Sequence, residues 1–139
     1  MNAIPLIDDL AAFANDARAR RLPIVLLVSR SDCSYCMALK AQVLDPSAIS
    51  GEYEDKALLG ELILDAPKEL IGFDGSVFED RDVWARRFDA LFTPTLLFLA
   101  PDGSELTPRM RGINTLEFFA FYLERSIRKA NRALVLGEI

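Results

Sequence analysis

The segment Ile24–Leu44, IVLLVSRSDCSYCMALKAQVL, constrains the fold more than any other part of the chain. Its first five residues, Ile24–Val28, are apolar and partly β-branched, which predicts a buried strand followed by a polar turn. Apolar residues then recur three and four positions apart, as in a helix, at Met37, Ala41 and Leu44. The first turn of this predicted helix carries Cys33 and Cys36, the only cysteines in the chain.

A helix start favours thiolate chemistry because it exposes unpaired backbone N–H groups and the positive end of the helix dipole. Cys33 and Cys36 lie three residues apart, so both sulfurs share one face and can bond to each other. A purely structural disulfide would close a loop of only about four residues and constrain the unfolded chain little. Two buried, inert cysteines are a further alternative, but the polar pair Ser31-Asp32 predicts an exposed turn. We therefore expect a reversible dithiol.

Metal and cofactor chemistry is not expected. A structural zinc site needs about four ligands, whereas this chain has two cysteines and no histidine. The same lack of histidine excludes a copper-carrying site that relies on imidazole.

Composition predicts one soluble globular domain over residues 1–139, with 51% apolar and 27% charged residues. No apolar run reaches the ~20 residues of a membrane span. The net charge of −5 argues against nucleic acid as a partner. The start MNAIPLIDD does not resemble a secretory signal, so we expect a cytoplasmic protein, or an exported one shown without its leader.

The remaining chain alternates predicted helices and strands. Pro5–Arg21 reads as an amphipathic helix, Asp45-Pro46 as a break, and Leu58–Asp65 as a central strand parallel to the first one. Ala66–Asp80 is predicted to be mostly loop. Two further strands, Leu96–Ala100 and Glu105–Arg111, are joined by a turn and should run antiparallel.

The last helix is predicted to begin at a capping box, Asn114-x-x-Glu117. Phe118, Phe121 and Tyr122 fall outside its buried stripe, and we expect them to be extra core under a loop rather than a partner-binding patch. The predicted buried stripe is Leu116, Phe119, Leu123, Ile127 and Ala130.

This order of elements resembles the thioredoxin fold from about Ile24 to Leu134. Three markers carry the resemblance: Cys33-Ser34-Tyr35-Cys36, then FTPTLLF at 92–98 followed by Asp102-Gly103, then Arg111-Gly112. The resemblance implies an α/β fold of thioredoxin-like type. Its central mixed four-stranded sheet has a parallel βαβ half and an antiparallel hairpin half, with helices on both faces.

Within that family the chain looks more like bacterial proteins of the SoxW and thiol-disulfide interchange type than like thioredoxin itself. Four features carry this likeness: the SDCxYC sequence, the Asp45-Pro46 pair, the Ala66–Asp80 insertion and the threonine before Pro94. It slightly favours a periplasmic location.

The resemblance also implies site residues. Cys33 would be the exposed nucleophile and Cys36 the buried resolving thiol. Pro94 would follow a cis peptide bond and bind substrate together with Thr93 and Tyr35. Without the resemblance, Pro94 would read as a simple strand start.

Departures from thioredoxin point to one more residue. Leu27 aligns with the buried acid of thioredoxin, and Glu61 aligns with a lysine. Because Cys36 must lose its proton to attack, a nearby base would help it, and Glu61 is the best candidate. The alternative for Glu61 is a strand-edge carboxylate turned to solvent.

The expected function is a thiol-disulfide oxidoreductase, most simply one that reduces protein disulfides through Cys33 and Cys36. Its partners would be a disulfide-containing protein substrate and an upstream thiol or disulfide that supplies electrons, and the protein would be a monomer. A binding or redox-sensing module without turnover is one alternative. An enzyme that uses glutathione or peroxide is another.

Overall fold

The computed structural model describes residues 3–112 and 116–137. Four strands form one mixed sheet, namely β1 (Ile24–Ser29), β2 (Leu58–Ile63), β5 (Thr95–Leu99) and β6 (Glu105–Arg111). Their order across the sheet is β2-β1-β5-β6, and two short strands, β3 (Leu70–Ile71) and β4 (Val77–Phe78), form a separate hairpin. β1 runs parallel to β2 and antiparallel to β5, and β6 returns antiparallel to β5. The predicted α/β thioredoxin-like sheet is therefore confirmed.

Helices cover both faces of this sheet. The helices are α1 (Leu10–Arg20), α2 (Ser34–Leu39), α3 (Asp45–Ser50), α4 (Arg81–Arg86) and α5 (Leu116–Gly137). Alternate β1 side chains point to opposite faces, as a strand requires: Ile24 and Leu26 pack with α1 and α4, whereas Val25 and Leu27 pack with α2 and α5. The sheet thus separates two apolar cores.

The chain before α1 is extended, so the prediction of a helix from Pro5 was wrong. Glu61 N–H donates to Pro5 O at 2.9 Å, and Ile7 N–H donates to Glu61 O at 2.8 Å. Asp9 caps α1 by accepting from Ala12 N–H. Gly60 permits this close approach, because a Cβ there would lie 2.8 Å from Ile7 Cγ1. The prediction that β2 is central was also wrong: β2 is one of the two outer strands of the sheet, and residues 5–7 cover its edge.

The sequence predicted a break at Asp45-Pro46, and this prediction was wrong because the helix that carries the cysteines continues through both residues. A π-helical segment, Lys40–Leu44, joins α2 to α3 without interruption. Asp45 keeps helical angles (φ −64°, ψ −44°), and its N–H bonds to Lys40 O. Pro46 lies in the first turn of α3, where its missing N–H is tolerated.

Residues 66–80 contain a small hairpin, β3 (Leu70–Ile71) with β4 (Val77–Phe78), where the sequence predicted a loop. Arg81 anchors this region although its side chain is only 1% exposed. Its guanidinium donates to Lys68 O at 3.0 Å, to Ile63 O at 3.1 Å and to Asp8 Oδ1 at 2.7 Å. This buried cation ties the insertion to β2 and to the chain before α1.

Replacing Arg81 should therefore destabilise the fold. Arg81→Met keeps an apolar stem but leaves two carbonyl groups and the Asp8 carboxylate without their donor. Because each of these three acceptors loses a hydrogen bond worth about 1 kcal/mol, we expect a loss of about 3 kcal/mol in the free energy of unfolding. Urea titration of the oxidised protein measures it. Arg86→Met, at an exposed arginine of the same helix, is the control, and an equal loss in both variants would contradict the anchoring role.

The last helix buries the predicted stripe, but the aromatic residues beside that stripe are exposed. Four stripe residues are buried and Leu116 is half-buried. Phe118, Phe121 and Tyr122 are instead 59%, 60% and 50% exposed, so the prediction that they are extra core was wrong. Asn114 of the predicted capping box lies outside the described residues. None of the described helices combines the length and the apolar composition needed to cross a membrane.

Candidate dithiol site

Cys33 and Cys36 form a disulfide at the start of α2, with their Cα atoms 5.2 Å apart. Cys33 is the N-cap residue of α2, and its sulfur accepts from Cys36 N–H at 3.1 Å. The same N–H would stabilise a Cys33 thiolate in the reduced protein. Cys33 is half-buried, whereas Cys36 is only 1% exposed. The geometry therefore makes Cys33 the more accessible of the two sulfurs.

Asp65, just beyond the end of β2, holds the turn that precedes Cys33. Its Oδ1 accepts from Ser31 N–H at 2.9 Å, and its Oδ2 accepts from the Ser31 hydroxyl. These hydrogen bonds to Ser31 lower the pKa of Asp65 from its ordinary value of 3.8. Arg30, in the same turn, is paired with Asp82 at 2.8 Å. Sequence reasoning did not single out Asp65, although its place right after a strand that pairs with β1 was a usable signal.

Asp65 should make the turn sensitive to acid. A carboxyl whose pKa is lower in the folded state contributes stability above its unfolded pKa and loses that contribution as the pH falls through the folded pKa. We therefore expect the melting temperature of wild type to fall as the pH drops below 3.8, and that of Asp65→Asn to fall less. Melting temperatures of both proteins across the acid range test this. Asp55→Asn, at an exposed carboxylate, is the control, and parallel profiles for wild type and Asp65→Asn would contradict the role.

A proline loop lies at the same end of the sheet as the cysteines. The Thr93–Pro94 peptide bond is cis, the geometry that the resemblance implied. Thr95 pairs with Val28 across β1 and β5, which places this loop beside the exit of β1 toward Cys33. The Thr95 hydroxyl donates to Phe92 O at 2.5 Å, and Pro94 O accepts from Gly112 N–H at 3.0 Å. These bonds fix the loop on both sides of Pro94.

Exposed apolar side chains flank this end of the sheet. Tyr35 is 38% exposed on the cysteine turn, and Phe92 is 60% exposed just before Thr93. Met37 and Leu91 are exposed as well. Of these, only Tyr35 was predicted from the sequence as a site residue. Two successive apolar residues directly before a Thr-Pro loop were the signal for Leu91 and Phe92.

Glu61 is buried under α2 rather than turned to solvent, so the alternative of a solvent-facing carboxylate was wrong. Its side chain is 4% exposed, and the Lys40 ammonium lies 2.7 Å from its Oε1. The Ser29 hydroxyl donates to Oε2 at 2.6 Å. Lys40 in turn donates its backbone N–H to Cys36 O, which links the ion pair to the turn that carries Cys36. Sequence reasoning missed Lys40 and Ser29, although Lys40 lies one helical turn after Cys36.

No metal-binding cluster of three histidine, cysteine, aspartate or glutamate residues occurs within residues 3–112 and 116–137. The chemistry that the arrangement offers is that of a disulfide with one accessible and one buried sulfur. The buried Glu61 carboxylate is linked to the cysteine helix through Lys40.

Known proteins share this architecture. Oxidised mitochondrial thioredoxin 3 from Saccharomyces cerevisiae superposes with a TM-score of 0.57 at 18% identity, over 90% of this chain and 93% of that one. Fasciola hepatica thioredoxin gives 0.60 at 16% identity over 91% and 99%, and thioredoxin O1 from Arabidopsis thaliana gives 0.58 at 16% identity over 89% and 97%. At such identities the likeness shows the fold alone.

Sequence comparison places the chain in a family. A search of curated protein sequences found no significant match. The family profile for the thioredoxin-like domain, however, matches residues 11–127, which include both cysteines and the cis-proline loop. The chain belongs to the thioredoxin-like domain family.

Proposed function

We propose that this protein reduces disulfide bonds in other proteins through Cys33 and Cys36. The observation that carries the proposal is the Cys33–Cys36 disulfide itself, with one accessible and one buried sulfur at the first turn of α2. Thioredoxin-like architecture with such a pair supports thiol-disulfide exchange in general. The direction and the substrate are the specific parts of the proposal.

The reaction would begin with the reduced protein. The Cys33 thiolate attacks one sulfur of a substrate disulfide, which forms a mixed disulfide and releases the other substrate sulfur as a thiolate that takes up a proton. The Cys36 thiolate then attacks Cys33 Sγ and releases the second substrate thiol. Two electrons have passed to the substrate, and the Cys33–Cys36 disulfide remains. An upstream dithiol must reduce it before the next cycle.

Glu61 would accept the proton that Cys36 loses in the second step. Cys36 is shielded from solvent, so bulk water is a poor acceptor for it. Ser29 and Lys40 each contact one oxygen of the Glu61 carboxylate, and Lys40 also donates its backbone N–H to Cys36 O. Lys40 is 29% exposed and offers a route from this buried group to solvent.

Substrate would bind across the cis-proline loop. Pro94 is buried and Thr93 is half-buried, while Tyr35 and Phe92 are exposed on either side. An extended substrate segment could use backbone groups at Thr93 and place apolar side chains on these rings. The surface therefore suits a flexible, partly apolar stretch of chain around a disulfide.

Charges near Cys33 favour the reducing direction. Asp32, next to Cys33, is exposed and opposes a negative charge on its sulfur. Arg30 is held by Asp82 at 2.8 Å and does not serve as a counter-ion for the thiolate. A thiolate that is stabilised less makes the reduced form less stable and the couple a better electron donor.

The reduction potential of the Cys33–Cys36 couple tests this direction. Equilibration with a dithiol buffer, followed by alkylation and mass spectrometry, measures it. We expect a value near the roughly −270 mV of thioredoxin, and a value near the roughly −120 mV of strong disulfide oxidants would overturn the reducing role. Asp32→Asn should raise the potential, because it removes the charge that opposes the thiolate.

A further inference from the structure

The outer face of α5 is a second exposed surface that the redox chemistry does not use. Its aromatic residues lie in the first two turns, and its basic residues lie in the next turns. Each member has another member three or four residues away, so they lie on one side of the helix. We define the α5 outer face as Phe118, Phe121, Tyr122, Arg125, Arg128, Lys129 and Arg132, all of which are exposed.

The charge of α5 differs from that of the rest of the protein. The helix carries four basic and two acidic residues, in a chain whose net charge is −5. Among residues 3–112 and 116–137, the basic side chains of α5 form one ion pair, between Arg128 and Glu124 at 3.5 Å. Exposed aromatic rings that stand next to unneutralised cations on the same face suggest a contact surface.

We propose that the α5 outer face binds a second copy of this chain, with the two α5 helices antiparallel about a two-fold axis. The sequence is self-complementary in this arrangement. When Phe118 faces Arg128 of the partner subunit, the same register sets Phe121 against the partner subunit's Arg125. It also sets Glu117 against the partner subunit's Lys129. Each contact occurs twice, as an isologous interface requires.

These contacts combine two kinds of attraction. Each phenylalanine ring receives a guanidinium on its face, and each glutamate at position 117 receives an ammonium. A parallel pairing would instead place like charges opposite one another along the basic half. An antiparallel dimer therefore pairs the aromatic half of each α5 outer face with the basic half of the other. This proposal replaces the expectation of a monomer.

A lipid surface fits this face less well. Helices that lie on membranes keep their apolar and basic residues on different sides, whereas here the rings and the cations share one side. The remainder of the protein is acidic and would be repelled by anionic lipid. The face therefore matches a second copy better than a bilayer.

Sedimentation velocity over a range of concentrations tests the proposal with the intact protein. We expect wild type to associate into dimers, and Phe121→Glu to weaken association by more than about tenfold in Kd. Ile49→Glu changes a similarly exposed apolar residue (52%) in α3 and should leave association unchanged. Circular dichroism verifies that each variant is folded.

A charge exchange tests the register. Glu117→Lys and Lys129→Glu should each weaken the dimer because each places like charges in contact, and the double variant should restore it. The two residues are twelve positions apart in one helix, so they do not contact each other within one subunit. A wild-type protein that stays monomeric at the highest concentration would overturn the proposal. Retention of that monomer on anionic vesicles would assign the face to lipid instead, and a double variant that is not restored would overturn the register.

Discussion

Replacement of Cys36 by serine is expected to trap the protein in a mixed disulfide with its substrate. Cys33 stays accessible at the start of α2 and can still attack, but no second thiol remains to release the product. With a chromogenic aromatic disulfide, reduced wild type should release two equivalents of the coloured thiol, and Cys36→Ser only one. Stopped-flow absorbance counts the equivalents, and mass spectrometry should find the second half of the reagent on Cys33.

Cys33→Ser is the matched variant, since it leaves the other cysteine in place. Cys36 is 1% exposed, so this variant should release little thiol and trap few adducts. Iodoacetamide should likewise label Cys33 first in the reduced wild type. Preferential labelling of Cys36, or equal trapping by both variants, would reverse the assignment of nucleophile and resolving thiol.

Replacement of Glu61 by glutamine is expected to slow the second release of thiol while the first keeps its rate. Glutamine has nearly the same size and can still accept a hydrogen bond from Ser29, but it cannot take a proton from Cys36. Because general bases contribute about 10²–10⁴-fold, we expect resolution to slow by about 10²-fold. The two phases of the same stopped-flow trace separate the steps.

One control variant and one pH measurement support the Glu61 experiment. Glu69→Gln removes an exposed carboxylate close to the same strand and should leave both phases unchanged. In Glu61→Gln, the rate of the second phase should rise with pH as expected for a thiol that loses its proton directly to solvent. A variant that slows both phases equally would show that Glu61 only supports the fold, and an unchanged second phase would mean that the proton leaves directly to solvent.

The sequence predicted those parts of the fold that depend on local pattern. The apolar run at Ile24–Val28 and the helical spacing after Cys36 each report on their own neighbourhood, and both were confirmed. The missed features either depend on partners distant in the chain or are too short to form a pattern. Residues 5–7 became extended because the open edge of β2 needed hydrogen-bond partners, and the strands at 70–71 and 77–78 are too short to produce a periodic signal.

The candidate site shows the same division. Cys33, Cys36 and Pro94 could be named from spacing and resemblance. The surroundings of Glu61 could not, because they depend on the reach of Lys40 from a π-helical segment that the sequence did not predict. Phe118 and Phe121 were assigned to the core because an apolar residue beside a buried stripe is usually buried. The sequence around these two residues does not show whether a loop covers them.

Turnover is the central claim, and reduction of insulin in the presence of dithiothreitol tests it most directly. Reduced insulin chains precipitate, so turbidity follows the rate at which its disulfides are broken. We predict that catalytic amounts of wild type accelerate precipitation well above the rate with dithiothreitol alone, and that Cys33→Ser does not. A wild-type rate equal to that of dithiothreitol alone would contradict the account and leave a binding or redox-sensing module in its place.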